Sequence, residues 1–211
     1  RVFKNGALLP ARALTLSVCG DGERGLLGIA LDPNFGSNGY VYLYYTRQGT
    51  SGTACGYNTY INGQPGPRNR VSRFTMSGDS IDPASERILI DNIATDSGIH
   101  NAGDLHFGAD GYLYISVGDS NLAPSPAQYL YSLNGKLLRI LPTPGAAGGY
   151  TTAGNPYDTA ANAWYCGVNP PGTSTGPCRE IFAHGLRNPF RFSIRPGTST
   201  PYVGDVGGGA W

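Results

Sequence analysis

Charge is scarce in this chain. Asp, Glu, Lys and Arg make up 14% of it, and 15 Lys and Arg nearly cancel 14 Asp and Glu, leaving a net charge of +1. No Lys/Arg cluster stands anywhere. A nucleic-acid partner, which needs a basic field against its phosphates, is therefore excluded. Long apolar runs are missing too; none approaches the ~20 residues of a membrane-spanning helix. No segment keeps a helical period, although Tyr129–Leu133 has room for one helical turn. The four cysteines, Cys19, Cys55, Cys166 and Cys178, form no Cys-x-x-Cys pair, which argues against a zinc or thioredoxin-like site. What the chain does have is glycine (32), proline (16) and tyrosine (14), with an apolar fraction of 40%. Glycine and proline at this level can mean disorder. Tyrosine and the apolar share supply a core, so the combination points to many short strands joined by turns, an all-β fold.

An even cysteine count in such a chain points to disulfides and an oxidising compartment, hence a secreted or periplasmic protein. Three pairings are open. Cys19–Cys55 and Cys166–Cys178 are favoured because each brackets a loop-rich stretch; four buried free thiols are the alternative. No signal peptide is visible. Residues 1–10 read as a strand running into a turn whose partners are missing, and a Gly-rich turn precedes Trp211. Residues 1–211 are accordingly expected to form one partial domain, truncated at both ends, that continues after Trp211.

A unit of strand, turn and strand recurs three times: Gly28–Thr46, Asp104–Asp119 and Arg191–Asp205. Val41–Tyr45 and Tyr112–Ser116 carry the aromatic and β-branched residues that suit strands. Asn34–Gly39 and Ala109–Gly111 carry turn residues that tolerate positive φ. Further strands are expected at Arg70–Met76, Arg87–Ile93 and Lys136–Leu141. Repetition of this kind implies a propeller, of which the chain would cover three to four blades. Gln48–Pro67, Leu122–Ala127 and Pro142–Pro177 read as long loops, and loops this long in a compact domain are often functional.

Three segments carry candidate chemistry. In Ile99–Asp119 a hairpin would bring His100 and Asp119 to one edge of a blade. A carboxylate that orients a histidine makes it a general base; a capped turn with a merely packed histidine is the other reading. In Ile181–Arg191, Arg187-Asn188 offers a charged fork and an amide for carboxylate or quinone oxygens. An arginine bonding carbonyls between blades is the other reading. In Gly204–Gly209, GDVGGG, exposed carbonyls could serve calcium or merely form a turn.

Taken together with Gly22–Leu27 (GERGLL), these segments resemble the soluble sugar dehydrogenases that use pyrroloquinoline quinone (PQQ), the glucose/sorbosone dehydrogenase family. The resemblance rests on His100, Gly103, Gly108 and Gly118-Asp119, then Gly185-x-Arg187-Asn188-Pro189, then Gly204–Trp211, in the family's order. It implies a six-bladed β-propeller. It implies oxidation of an aldose at C1 to the lactone, with hydride passing to PQQ and electrons to an external acceptor. His100 matches the base and a PQQ contact, and Asp119 the carboxylate that holds it. Arg187 and Asn188 match PQQ contacts, with Arg187 also offsetting charge on the C5 oxygen. Gly207 and Gly208 match calcium-binding carbonyls. Glu23 matches a glutamine near the sugar, and Asn101 is placed with it as a substrate contact. Asp104 departs from the Arg or Asn often found there, and Gly208 from a proline or glutamine. His106 and His184 match nothing catalytic; His106 alternates with Leu105 and Phe107 as a structural strand residue would. Hedgehog-interacting proteins share this propeller, so a non-catalytic extracellular propeller binding a protein or carbohydrate is the alternative.

Overall fold

The computed structural model describes residues 1–49, 55, 60–61, 64–123, 125–169 and 174–208. Pairing is antiparallel throughout the named sheets. A short hairpin of β1 (Phe3–Lys4) and β2 (Ala7–Leu8) comes first. The first large sheet then runs β3 (Leu26–Leu31) and β4 (Tyr40–Arg47). After an inserted hairpin, β5 (Tyr60–Ile61) with β6 (Gln64–Pro65), it continues through β7 (Arg68–Ser77) and β8 (Ser80–Ala94). The second sheet is β9 (Ala102–Phe107), β10 (Leu113–Val117) and β11 (Lys136–Pro142). β12 (Tyr150–Thr151) and β13 (Ile181–His184) share the far edge of β11. A hairpin of β14 (Arg191–Ile194) and β15 (Pro201–Gly204) follows. Each large sheet is an up-and-down meander, the blade of a β-propeller.

The blades stand face to face, with their first strands side by side. A Cβ added to Gly28 on β3 would lie 2.1 Å from the Gly103 carbonyl oxygen on β9. Only glycine lets the two backbones approach so closely. Apolar side chains fill the space between the blades. Tyr42, Tyr44, Val71, Leu89 and Ile90 from the first meet Leu105, Leu113, Ile115 and Leu138 from the second. The opposite face of the first blade, with Val41, Leu43, Tyr45 and Phe74, is packed by Leu14, Leu16 and Val18. The opposite face of the second blade, with Tyr114 and Leu137, is packed by Phe192, Ile194 and Val203 of the last hairpin. Strands covered on both faces lose the simple alternation of apolar and polar residues, which is why Val41–Tyr45 reads as a continuous apolar and aromatic run and Leu113–Val117 is broken only by the buried Ser116.

The expected strands at Arg70–Met76, Arg87–Ile93 and Lys136–Leu141 lie within β7, β8 and β11. The helical turn expected at Tyr129–Leu133 is absent. A 3₁₀ turn stands instead at Pro126–Gln128, where Ser125 caps it and proline occupies its first position. Asn34–Gly39 winds into one α-turn, Phe35–Asn38, closed by Gly39 at φ +65°. Parts of the Gln48–Pro67 and Pro142–Pro177 loops lie outside the described residues. Among the described residues no helix is long and apolar enough to cross a membrane.

Both favoured disulfides are formed, Cys19–Cys55 and Cys166–Cys178. They suit an oxidising compartment. The second closes a loop of sequence separation 12. In the chain-entropy account, opening it by Cys166→Ser with Cys178→Ser should lower unfolding free energy by about 3 kcal/mol. Denaturant titration of the complete protein checks this; an unchanged midpoint would mean that the constraint is redundant.

Candidate active site

The loop between β8 and β9 is held from the neighbouring blade before it presents any chemistry. Arg24, buried, donates from Nε to Thr95 Oγ1 at 3.1 Å and from Nη2 to the Thr95 carbonyl, while Nη1 pairs with Asp21 at 2.8 Å. Asn101 is 2% exposed. Its Oδ1 accepts from Asn69 Nδ2 at 2.9 Å and from Thr95 Oγ1, and its Nδ2 donates to the Gly98 carbonyl at 3.2 Å. Asn101 therefore faces the seam between the blades, where its amide oxygen takes two bonds and its Nδ2 gives one. It braces the loop on which His100 stands.

His100 leaves this loop in the left-handed region, φ +56°, and Ala102 follows at +50°. Such a conformation costs a non-glycine residue about 1–2 kcal/mol, so the surroundings must enforce it. Three contacts do so. The His100 amide donates to Glu23 Oε2 at 2.6 Å. The His100 carbonyl accepts from the Ser120 amide at 3.2 Å. Gly118 passes so close to that carbonyl that an added Cβ would lie 1.9 Å from its oxygen. Glu23 is exposed and lies at this site, gripping the histidine backbone through one carboxylate oxygen.

His100 Nδ1 and Asp119 Oδ1 are 2.7 Å apart, and both side chains are almost fully buried. Asp119 Oδ1 also accepts from the Asn121 amide at 2.8 Å, and its Oδ2 from Ser125 Oγ at 3.3 Å. An ionised carboxylate only accepts, so Nδ1 is the nitrogen that donates to it, and in the neutral ring Nε2 is then the acceptor. The expected pairing across the hairpin is thus present in the geometry. Asn121 and Ser125 complete a carboxylate that is held on both oxygens.

The segment Arg187-Asn188 is tied to the same place. The Asp119 amide donates to the Arg187 carbonyl at 2.8 Å, and Asn188 Oδ1 accepts from the Ala102 amide at 3.1 Å. Arg187 Nη1 donates to the carbonyls of Val206 at 2.9 Å and Gly207 at 3.2 Å. Among the described residues no carboxylate pairs with its guanidinium. Asp205, to which the motifs assign no role, accepts the Arg187 amide at 3.0 Å and the Asn188 amide at 2.7 Å.

Lys136 likewise has no place in the motifs. It is fully buried, and its Nζ donates to the carbonyls of Pro126, Ala127 and Asn134 at 3.1, 2.9 and 2.7 Å. Burial pushes this ammonium down to about 7, although the three carbonyls take all three of its protons and favour the charged form. Lys136 pins the turn that carries Ser125 to Asp119. A lone lysine opening an apolar strand is the available signal. His106, by contrast, donates or accepts through Nε2 with Asp104 at 3.2 Å and stands edge-on to Phe192. Asp104 also accepts the Phe192 amide at 3.1 Å. Both stitch the second blade to the last hairpin.

Calcium takes 6–8 oxygens. Gly207 and Gly208 are exposed and offer two carbonyls, one of them already bonded to Arg187. The two clusters of metal-ligating residue types among the described residues both use disulfide-bonded cysteines. The described residues fit calcium only as two of its ligands. PQQ carries carboxylates, and the unpaired Arg187 guanidinium fits one of them.

The family model described as Glucose / Sorbosone dehydrogenase matches residues 1–209. Human hedgehog-interacting protein is 29% identical over 200 residues, 92% of this chain and 25% of that protein. The aldose sugar dehydrogenase YliI of Escherichia coli is 28% identical over 189 residues, 88% of this chain and 42% of that one. Among solved structures, a glucose dehydrogenase-type oxidoreductase of Thermus thermophilus superposes with TM-score 0.71 at 31% identity. The match covers 95% of this chain and 50% of that one. The PQQ-bound aldose sugar dehydrogenase of Streptomyces coelicolor gives 0.62 at 25%, covering 91% and 45%. The chain thus spans half or less of the length of each of these relatives. With its blades, its His100–Asp119 hairpin and a match running from residue 1 to residue 209, the chain belongs to the glucose/sorbosone dehydrogenase family.

Proposed function

We propose that the complete protein is a secreted or periplasmic, PQQ- and calcium-dependent dehydrogenase that oxidises an aldose at C1 to its lactone. The observation that carries this reading is the buried His100–Asp119 pair at 2.7 Å, which leaves His100 Nε2 as an acceptor. Family membership supports sugar oxidation in general, and the PQQ-bound Streptomyces coelicolor relative supports the cofactor. Further blades would complete a six-bladed propeller, in keeping with relatives of greater length.

In the reaction, His100 Nε2 takes the proton of the C1 hydroxyl. As that O–H bond breaks, the hydride on C1 leaves with its electron pair and C1 becomes the lactone carbonyl. Bound PQQ would supply the hydride acceptor, and an external acceptor would later remove the two electrons. Asp119 stabilises the imidazolium that forms on His100. Arg187 holds positive charge where negative charge grows during the transfer. Glu23 fixes the His100 backbone, and Asn188 fixes the Ala102 backbone beside it. Gly207 and Gly208 would give calcium two carbonyl ligands.

Calorimetry of the complete protein with PQQ, with and without calcium, tests the cofactor; dye reduction by the loaded protein with an aldose tests the activity. Binding that tightens with calcium, together with dye bleaching, is expected. No PQQ binding under either condition would shift the reading to a non-catalytic propeller that binds a protein or carbohydrate, which the likeness to hedgehog-interacting protein would then support.

A further inference from the structure

We propose that Asp205 is a positioning residue whose carboxylate holds the backbone of Arg187 and Asn188, so that the Arg187 guanidinium is presented unpaired to a carboxylate-bearing ligand. The inference rests on the reading of function above and adds to it a residue that the motif left without a role. Its first support is where the carboxylate spends its two oxygens. Oδ2 accepts the Arg187 amide at 3.0 Å and Oδ1 the Asn188 amide at 2.7 Å. A carboxylate beside an arginine commonly takes the guanidinium in a bidentate pair, which would cancel the charge. Here it takes two consecutive amides instead.

The second support is how the guanidinium is aimed. Nη1 donates to the Val206 and Gly207 carbonyls, at 2.9 and 3.2 Å. Those acceptors are neutral, so they orient the fork without neutralising it. The Val206 amide returns a bond to the Asn188 carbonyl at 3.0 Å. Residues 187–188 and 205–207 are therefore laced together by five hydrogen bonds, of which Asp205 makes two.

The third support is the repeat. Asp205 follows Gly204 at the end of β15, as Asp119 follows Gly118 past the end of β10. In the first blade Thr46 stands near the end of β4, and its amide donates to the Gly25 carbonyl at 2.8 Å. At all three places the residue near the end of the second strand grips the segment that leads into the first. Asp119 grips a histidine ring, and Asp205 grips two amides.

The test uses the complete protein with PQQ as the probe. Asp205→Asn keeps one acceptor oxygen and turns an NH2 group against the other amide. It should raise the PQQ dissociation constant about tenfold or more. Amide exchange across residues 186–190 should quicken, while the melting temperature and the sugar KM stay near wild type. In an Arg187→Ala background the same change should have little further effect on PQQ binding, because a residue that acts through Arg187 has nothing left to position. Asp205→Ser, which also keeps one acceptor, replaces the Asn variant if that does not fold. Wild-type PQQ affinity in either variant, or an undiminished effect without Arg187, overturns the proposal. A wild-type protein that binds no PQQ would sink the reading of function. Amide exchange would then still judge the clasp, and unchanged exchange in Asp205→Asn would show that Asp205 does not hold these amides.

Discussion

Replacing His100 by glutamine in the PQQ-loaded complete protein is expected to lower kcat by roughly 10²–10⁴-fold, the usual contribution of a general base. Glutamine is polar and of similar reach, so the loop keeps its shape through contacts that do not use the ring. The Glu23 carboxylate still takes the residue's amide, and the Ser120 amide still meets its carbonyl. What is lost is the titratable nitrogen on the side of the ring away from Asp119. PQQ affinity should therefore change little, and KM for the sugar less than kcat. His106→Gln is the control. That histidine lies between Asp104 and Phe192 in the seam to the last hairpin, and its loss should leave turnover near wild type. Sugar oxidation at the wild-type rate by the His100→Gln protein would rule out the proton transfer assigned here.

Gly118→Ala should damage both stability and turnover. The added methyl would sit 1.9 Å from the His100 carbonyl oxygen, 2.5 Å from its carbonyl carbon and 3.2 Å from Asn188 Oδ1. Two of these three atoms are backbone and cannot rotate aside. Either β10 or the His100 loop must shift, at a cost of about 1–3 kcal/mol or more by analogy with overpacked cores. A shift near 1 Å at the base would lower kcat by about 10²-fold. Gly36→Ala supplies the contrast, since nothing lies within 4 Å of its methyl and the site is a helical turn. Thermal melting and turnover of the two variants, compared side by side, decide the matter. A Gly118→Ala protein that melts and turns over like wild type would mean that the approach of the two backbones is looser than described.

The strands that are legible in the sequence are those whose partners lie close along the chain. Tyr40–Arg47 and Leu113–Val117 are dense in aromatic and β-branched residues because both faces are buried, and their turns announce the hairpins. The start of β8 is not legible. Asp82, Pro83, Ser85 and Glu86 carry no strand signal, and the sheet edge tolerates them. The helical turn lies a few residues before Tyr129–Leu133, because the bulk of that segment carries no capping signal, whereas Ser125-Pro126 does.

The site divides in the same way. His100 and Asp119 belong to one hairpin, so their meeting can be foreseen. Asn101 cannot be placed from sequence, because its side chain is held between Asn69 of the preceding blade and Thr95 at the start of its own loop. Asp205 grips backbone amides, which nearly every residue possesses and which leave no trace in a motif. Lys136 is hidden for the same reason, being bonded to backbone carbonyls.

The anchoring position that closes each hairpin bears on how such a molecule can arise. When a gene segment encoding one blade is duplicated, the copy inherits a residue already placed to seize the incoming loop. New chemistry then needs only a change in what that residue holds. A threonine amide on the Gly25 carbonyl gives a joint, a carboxylate on an imidazole gives a base, and a carboxylate on two amides frees an arginine. One recurring position thus serves three purposes, and what it holds decides what the incoming loop can do.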